Sequence, residues 1–167
     1  MFTFDQMFFS LSYGVDIFRP AFDLASFIFD PVPFSIIFLL TLFLIKRYSS
    51  DKKDFIKFAL SIFLAVVITY VLKYIFNIER PVGAEVFSPS FPSAHTSIAT
   101  SYFIFLLHIM RRDRNVFRRY LHFVFCISSA IFVGVSRLYL SVHWLSDVLV
   151  GYILGASVVY LVIKMYK

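Results

Sequence analysis

Three short stretches of this chain carry side chains that can do chemistry on an anion. The last of them, SRLYLSVHWLSD, places an arginine, a histidine and an aspartate between two apolar segments. His143 and Asp147 are four residues apart. On a helix this spacing brings the imidazole close to the carboxylate, which orients the ring and raises its basicity. Because charged groups at the edge of a membrane segment are costly unless they are paired or functional, the stretch indicates a site.

The other two stretches, KYIFNIERP and FPSAH, lie earlier in the chain. Lys73 and Arg80 are seven residues apart, so the two cations point the same way if one helix continues through both. In FPSAH, Ser93 and His95 stand at the start of an apolar segment. The backbone N–H groups at a helix N-terminus, with a serine hydroxyl beside them, can bind an anion.

Taken together, the three stretches predict phosphoryl transfer. Three cations, Lys73, Arg80 and Arg137, suit the charge of a tetrahedral oxyanion. Two histidines, one of them backed by a carboxylate, suit nucleophilic attack combined with general acid catalysis. Each residue alone could be an interfacial anchor or a helix cap. Their joint occurrence at one predicted face favours a phosphoryl-transfer site.

The elements that position these residues are predicted to be membrane helices. The chain has 167 residues, of which 60% are hydrophobic and 20% aromatic, and its mean hydropathy is +0.82. A soluble domain of this size could not bury so much apolar surface, so we predict an all-α integral membrane bundle. Five apolar runs are predicted to be transmembrane helices, at about 31–48, 54–76, 95–110, 119–136 and 143–163.

The first 29 residues are aromatic but are interrupted by charged residues and by Pro20. We interpret them as helices lying in the membrane interface, with a sixth transmembrane helix as the alternative. The first ten residues lack a basic region and a small-residue cleavage site, so we expect no removable signal peptide. Asp30 is predicted to cap the helix that begins at Pro31.

The basic residues predict the orientation of the bundle. Twelve of the sixteen lysines and arginines fall in three places that the positive-inside rule assigns to the cytoplasm. The loops at 77–94 and 137–142 then face outward, and three of the four remaining cations cluster around them. The net charge of +6 is explained by topology and anionic lipid, so we expect no nucleic-acid partner. The twelve cytoplasmic cations are Lys46, Arg47, Lys52, Lys53, Lys57, Arg111, Arg112, Arg114, Arg118, Arg119, Lys164 and Lys167.

The three stretches resemble, in order and in spacing, the signature motifs of the type 2 phosphatidic acid phosphatase superfamily. Those motifs are K-x6-R-P, P-S-G-H and S-R-x5-H-x3-D, and the resemblance covers residues 73–147 with the four helices around them. It implies a transmembrane phosphatase domain over residues 31–167, preceded by an N-terminal interfacial segment over residues 1–30.

The resemblance also implies a role for each site residue. His143 would be the nucleophile that forms a phosphohistidine, and Asp147 would activate it. His95 would protonate the leaving oxygen and later assist the attack of water. No metal or other cofactor is implied, and the sequence has no carboxylate cluster or Cys/His pattern with ligand spacing. The phosphate would be held by Lys73, Arg80, Ser93, Arg137 and the backbone around Ala94.

Two features depart from the family pattern. Ala94 stands where the family usually has glycine, and its methyl group narrows the backbone conformations available beside the phosphate. We expect this change to be tolerated, because alanine is the smallest replacement. The first helix of the family is missing or shortened, which leaves the role of residues 1–29 open.

The predicted function is hydrolysis of a phosphate monoester or diphosphate of a membrane lipid, at the outer face of a bacterial inner membrane. Bacterial members of the family act on phosphatidylglycerol phosphate, undecaprenyl diphosphate or the 1-phosphate of lipid A. The compact size and the lack of a full first helix resemble the lipid A 1-phosphatase type. One alternative is a non-enzymatic lipid-phosphate binder or transporter, which has no need for two histidines and a backing aspartate. Another is the haloperoxidase branch of the superfamily, whose members are soluble.

Overall fold

The structure of the protein, a computed structural model, describes residues 16–84 and 87–166. Over these residues it is all-helical, which confirms the predicted fold class. A 3-10 turn at Asp16–Phe18 is followed by six α-helices. In chain order they are α1 (Arg19–Ile28), α2 (Pro31–Tyr48), α3 (Asp54–Phe76), α4 (Ala94–Met110), α5 (Val116–Tyr139) and α6 (Leu145–Met165).

The lengths of the helices decide which of them can cross a bilayer. Four are long and apolar enough to do so, namely α2, α3, α5 and α6. Helix α4 has 17 residues, or about 26 Å, and is the shortest of the five predicted spans. Helix α1 has 10 residues, or about 15 Å, which is too short to cross about 30 Å of hydrocarbon. The alternative of a sixth span depends on residues 1–15, which lie outside the described residues.

Local signals set the helix ends near the three motifs. Helix α3 ends before Asn77, which takes the left-handed conformation (φ 42°) that terminates many helices. The conditional prediction of one helix through both Lys73 and Arg80 is therefore wrong, and Arg80 lies in the following loop. Helix α4 begins after Ser93, whose hydroxyl accepts a hydrogen bond from the Thr96 N–H at 3.4 Å.

Helix α4 packs against α3, α5 and α6 and so forms the centre of the bundle. Its contact with α6 is close because Gly151 and Gly155 face it. A Cβ atom on Gly155 would lie 2.5 Å from the carbonyl oxygen of Ser97. This GxxxG pair therefore serves packing inside the bundle. Helix α1 packs on α5, where the rings of Phe22 and Phe132 stack with centroids 5.0 Å apart.

The loops at 77–93 and 140–144 meet at one end of the bundle. The indole N–H of Trp144 donates to the carbonyl oxygen of Glu79 at 2.9 Å. All three motifs contribute residues to this end of the bundle. The fold thus brings together stretches that lie up to 74 positions apart in the sequence, from Lys73 to Asp147.

Candidate active site

His143 and Asp147 are in contact where the chain enters α6. The Nδ1 atom of His143 lies 3.1 Å from Oδ2 of Asp147, and both side chains are buried. The contact that their spacing predicts is therefore present. Its setting differs from the prediction, because α6 begins at Leu145 and His143 lies in the preceding turn.

Ser90 also binds the Asp147 carboxylate, although nothing in the sequence selects it. Its hydroxyl donates to Oδ2, and the Trp144 N–H donates to the same oxygen at 2.9 Å. The other oxygen, Oδ1, is buried and has no hydrogen-bond partner among the described residues. With the His143 ring included, three groups hold the carboxylate through one oxygen. This arrangement fixes the orientation of the imidazole.

The surroundings of His143 keep its ring neutral near pH 7. Burial lowers the pKa of His143 to about 4, and the hydrogen bond with Asp147 opposes part of this shift. The contact with the carboxylate favours the tautomer that carries its proton on Nδ1, which leaves the lone pair on Nε2. This Nε2 atom lies 3.2 Å from Nη1 of Arg80. A nucleophilic nitrogen and a cation therefore lie side by side.

Arg80 joins the two loops of the site. Its Nη1 donates to the carbonyl oxygen of Val142 at 2.6 Å, and its Nε donates to that of Ser88 at 2.8 Å. Burial lowers the pKa of Arg80, and the charge of Asp147 opposes this effect. The guanidinium nevertheless stays protonated, because arginine loses its proton only at very high pH.

Lys73, in the last turn of α3, reaches the same loop. Its Nζ donates to the carbonyl oxygens of Pro89 at 2.5 Å and Ser90 at 3.0 Å. The side chain is buried and interacts electrostatically with Arg80. The segment 88–90 therefore brings the two cations together, in place of the shared helix face that the spacing suggested.

The N-terminus of α4 lies against the first turn of α6. The backbone N–H of Ser93 donates to the carbonyl oxygen of Asp147 at 3.1 Å. The Ser93 hydroxyl accepts from the Thr96 hydroxyl at 3.0 Å, so capping α4 is its observed role. Ala94 is the first residue of α4, where backbone N–H groups have no intrahelical acceptor. These groups are the ones expected to bind an anion.

His95 contacts Asp30, a partner that the sequence did not suggest. Its Nε2 atom lies 3.1 Å from Oδ1 of Asp30, at the junction of α1 and α2. Asp30 does precede Pro31 at the start of α2, as predicted. It therefore occupies the predicted N-cap position, but its side chain makes no capping hydrogen bond within the described part of the chain.

Arg137 lies in the last turn of α5 and is 4% exposed. Its Nε and Nη2 atoms each donate to the Ser136 hydroxyl at 3.2 Å. The guanidinium is attracted by the charge of Asp30 and lies close enough to Arg80 and His95 for its own charge to act on both, so it stands between the two halves of the site. A snorkelling anchor would extend its charge toward water, whereas this charge is directed inward.

The structure thus brings all the predicted site residues to one end of the bundle and adds two that the sequence missed, Ser90 and Asp30. The predicted roles of these residues in catalysis and phosphate binding remain predictions. The set brought together is Lys73, Arg80, Ser93, Ala94, His95, Arg137, His143 and Asp147.

The fold and the site together define a helical membrane protein whose paired histidines and clustered cations suit a phosphate group. The chain belongs to the PAP2 superfamily, whose model matches residues 54–167, so the predicted family is confirmed. The match begins at α3. The division of the chain at residue 31 therefore remains a prediction.

The chain is also similar in sequence to a known bacterial phosphatase. Phosphatidylglycerophosphatase B of Bacillus subtilis (strain 168) is 33% identical over 75 residues, which are 44% of this chain and 37% of that protein. The matched region thus spans well under two thirds of that relative.

Two crystal structures share the fold. The PAP2-type phosphatidylglycerolphosphate phosphatase from Bacillus subtilis has a TM-score of 0.85 at 20% identity, covering 96% of this chain and 83% of its own. Aquifex aeolicus LpxE has a TM-score of 0.74 at 22% identity, covering 98% of this chain and 96% of its own. These similarities indicate a bacterial membrane protein.

Proposed function

We propose that this protein is a lipid phosphatase that hydrolyses a phosphate monoester or diphosphate through a phosphohistidine intermediate. The observation that carries the proposal is the contact of His143 with Asp147, with the Nε2 atom of His143 beside Arg80. A neutral imidazole held by a carboxylate is a nucleophile, and the adjacent guanidinium can neutralise the phosphate under attack. A protein that only binds or transports lipid phosphates needs no such pair.

In the first step, Nε2 of His143 bonds to phosphorus while the bond from phosphorus to the lipid oxygen breaks in line. His95 gives a proton to the leaving oxygen, so the lipid departs without an unprotonated alkoxide. In the second step, His95 takes a proton from water and the water oxygen bonds to phosphorus. The bond to Nε2 then breaks, inorganic phosphate leaves, and His143 regains its neutral ring.

The cations stabilise the charge that the phosphoryl group carries through both steps. Lys73 and Arg137 are buried and Arg80 is partly buried, so their charges act through a medium that screens less than water. The Ser93 hydroxyl and the N–H groups at the start of α4 add hydrogen-bond donors.

The proposed substrate is a lipid in the outer leaflet of the bacterial inner membrane, reached from the periplasmic side. The site lies at one end of an apolar bundle, and lipid phosphates lie just outside the hydrocarbon that such helices cross. The sequence favours lipid A 1-phosphate, and the names of the relatives include both phosphatidylglycerolphosphate phosphatases and LpxE. Phosphate release from lipid A 1-phosphate, phosphatidylglycerol phosphate and undecaprenyl diphosphate, measured with one preparation of purified protein, identifies the substrate.

The mechanism is tested with His143→Ala, which is expected to abolish turnover while the protein still folds. Asp147→Asn should impair turnover severely, because the imidazole loses the carboxylate that orients it. His122→Ala, in the first turns of α5 and away from the site, is the control and should retain wild-type rates. Brief reaction with a 32P-labelled substrate should trap an acid-labile phosphoenzyme in the wild type and none in His143→Ala. Wild-type turnover by His143→Ala would rule out the proposed nucleophile.

A further inference from the structure

The contact between Asp30 and His95 joins the site to a part of the chain that precedes the family match. Asp30 lies between α1 and α2, whereas the match covers residues 54–167. Its Oδ1 atom lies 3.1 Å from Nε2 of His95, across 65 positions of sequence. The backbone of Ser26, in the last turn of α1, also interacts with the His95 ring. The corner between α1 and α2 therefore holds one of the two histidines.

The Asp30 carboxylate contacts His95 directly and also acts through its charge on the buried Arg137. It makes no capping bond to α2 within the described residues. Its side chain is 47% exposed, and ion pairs at such exposed positions contribute little to stability. The His95 side chain is 22% exposed, so the pair is open to a ligand on one side. The contact with Asp30 fixes the position of the Nε2 nitrogen of the His95 imidazole.

We propose that Asp30 is a positioning residue that holds His95 as the general acid of this site. The inference rests on the proposed function and deepens it, because it assigns the second histidine a carboxylate partner. His143 has Asp147 and His95 has Asp30, so each histidine contacts its own carboxylate through a different ring nitrogen. The residues upstream of the family match thereby complete the site.

The protonation of His95 depends on which of its ring nitrogens contacts the Asp30 carboxylate. A carboxylate at Nε2 favours the doubly protonated ring, because the negative charge stabilises the imidazolium. The Nδ1 nitrogen then carries the proton that the leaving oxygen takes. Burial of the ring and the positive charge of Arg137 both oppose its protonation. Asp30 offsets part of this effect, and without the carboxylate a smaller fraction of His95 carries the proton that the leaving oxygen needs.

The test separates proton donation from the other steps by varying the leaving group. A lipid phosphate expels an alkoxide that needs the proton, whereas 4-nitrophenyl phosphate expels a weakly basic phenolate that hardly needs it. Asp30→Asn keeps a hydrogen-bond acceptor but removes the charge. We expect it to lower kcat on the lipid phosphate by about 10-fold or more, within the range that general acid catalysis supplies. The rate on 4-nitrophenyl phosphate should change by less than about 3-fold, because little of its barrier depends on that proton.

Two further variants control the result. Asp30→Glu keeps the carboxylate and should recover at least part of the lipid-phosphate rate. Asp113→Asn removes a carboxylate at the opposite end of the bundle, one that pairs with Arg118 at 3.1 Å, and should match the wild type on both substrates. Thermal melting of all three variants should stay at the wild-type value.

Equal losses of Asp30→Asn on both substrates, or no loss on either, would overturn the inference. An Asp30→Glu variant as slow as Asp30→Asn on the lipid phosphate would also overturn it. If Asp30→Asn fails to fold, Asp30→Glu is compared with the wild type on both substrates, and equal losses on the two would overturn the inference. Failure of the proposed function has a different signature. In that case the wild type releases no phosphate from any lipid, or His143→Ala is as active as the wild type.

Discussion

At the scale of single residues, the protonation of His143 sets the pH range over which it can attack phosphorus. Burial lowers its pKa from 6.5 to about 4, so the reactive neutral ring persists well below neutral pH. We expect the acid limb of the pH profile of kcat/KM to lie near pH 4 after correction for ionisation of the substrate phosphate. That ionisation is measured separately by 31P NMR. A limb centred near 6.5 would show that the ring has the proton affinity of an exposed histidine.

Replacing Arg137 tests whether the third cation of the site binds phosphate or only anchors α5 at the membrane interface. Its fork can make two parallel hydrogen bonds to phosphate oxygens, which an ammonium cannot reproduce. Arg137→Lys should therefore fold normally and lose catalytic efficiency on the order of 10²-fold or more, as expected when a donor to a charged transition state is removed. Arg114→Lys, in an exposed loop at the opposite end, is the control. Kinetics on one lipid phosphate and melting curves are compared, and wild-type kinetics in Arg137→Lys would favour the anchor.

Which site residues the sequence could predict depends on how far apart the partners lie. His143 and Asp147 are close in sequence, so their contact follows from spacing even though no helix carries the histidine. Ser90 reaches Asp147 across 57 positions and Asp30 reaches His95 across 65. Such contacts depend on loop conformation and helix packing, which no local pattern encodes. The neighbouring Pro31 suggests a helix-capping role for Asp30, whereas its actual partner lies on another helix.

At the scale of helices, the contact of α4 with α6 places the two halves of the site against each other. It depends on Gly155, where an added Cβ would lie 2.5 Å from the Ser97 carbonyl oxygen and 2.7 Å from Cβ of Thr100. Gly155→Ala should lower stability by about 1–3 kcal/mol, since the backbone of α4 must move. Activity should fall as well, because α4 carries His95 and α6 carries Asp147.

The measurements for Gly155→Ala are the melting temperature in detergent and phosphate release. Ile153→Leu is the matched control on α6, because this side chain is 66% exposed on the outer face of the bundle. It should leave both quantities unchanged. If Gly155→Ala melts at the wild-type temperature, α4 and α6 can move apart without loss of stability, and the prediction is wrong.

Helix positions were predictable to within a few residues because a long apolar run in a chain this hydrophobic favours a membrane helix over any other element. The predicted runs at 31–48 and 54–76 match α2 and α3, and the run at 119–136 falls inside the longer α5. Helix ends were less predictable, since they depend on single residues. Asn77 ends α3 before Arg80, and no hydrophobic pattern reports a left-handed residue.

At the scale of the whole molecule, the charges at the two ends of the bundle have different partners. At the end away from the site, Asp54 is fully buried and binds Arg112 through both carboxylate oxygens. Lys57 bonds to Asp51 at 2.8 Å in the same network. These cations therefore join α3 to the end of α4 as well as indicating topology. At the opposite end, the buried cations belong to the candidate site.

This separation of charge predicts how the protein lies in the membrane. The three basic clusters should face the cytoplasm and the 77–93 loop the periplasm, because lysines and arginines are retained on the cytoplasmic side. Cys126 is fully buried and is replaced by alanine, and single cysteines are then introduced as Ser50→Cys and Phe87→Cys. A membrane-impermeant maleimide should label position 87 in intact spheroplasts and position 50 only after permeabilisation. Selective labelling of position 50 in intact spheroplasts would reverse the topology and place the site at the cytoplasmic leaflet, where a periplasmic lipid phosphate could not be its substrate.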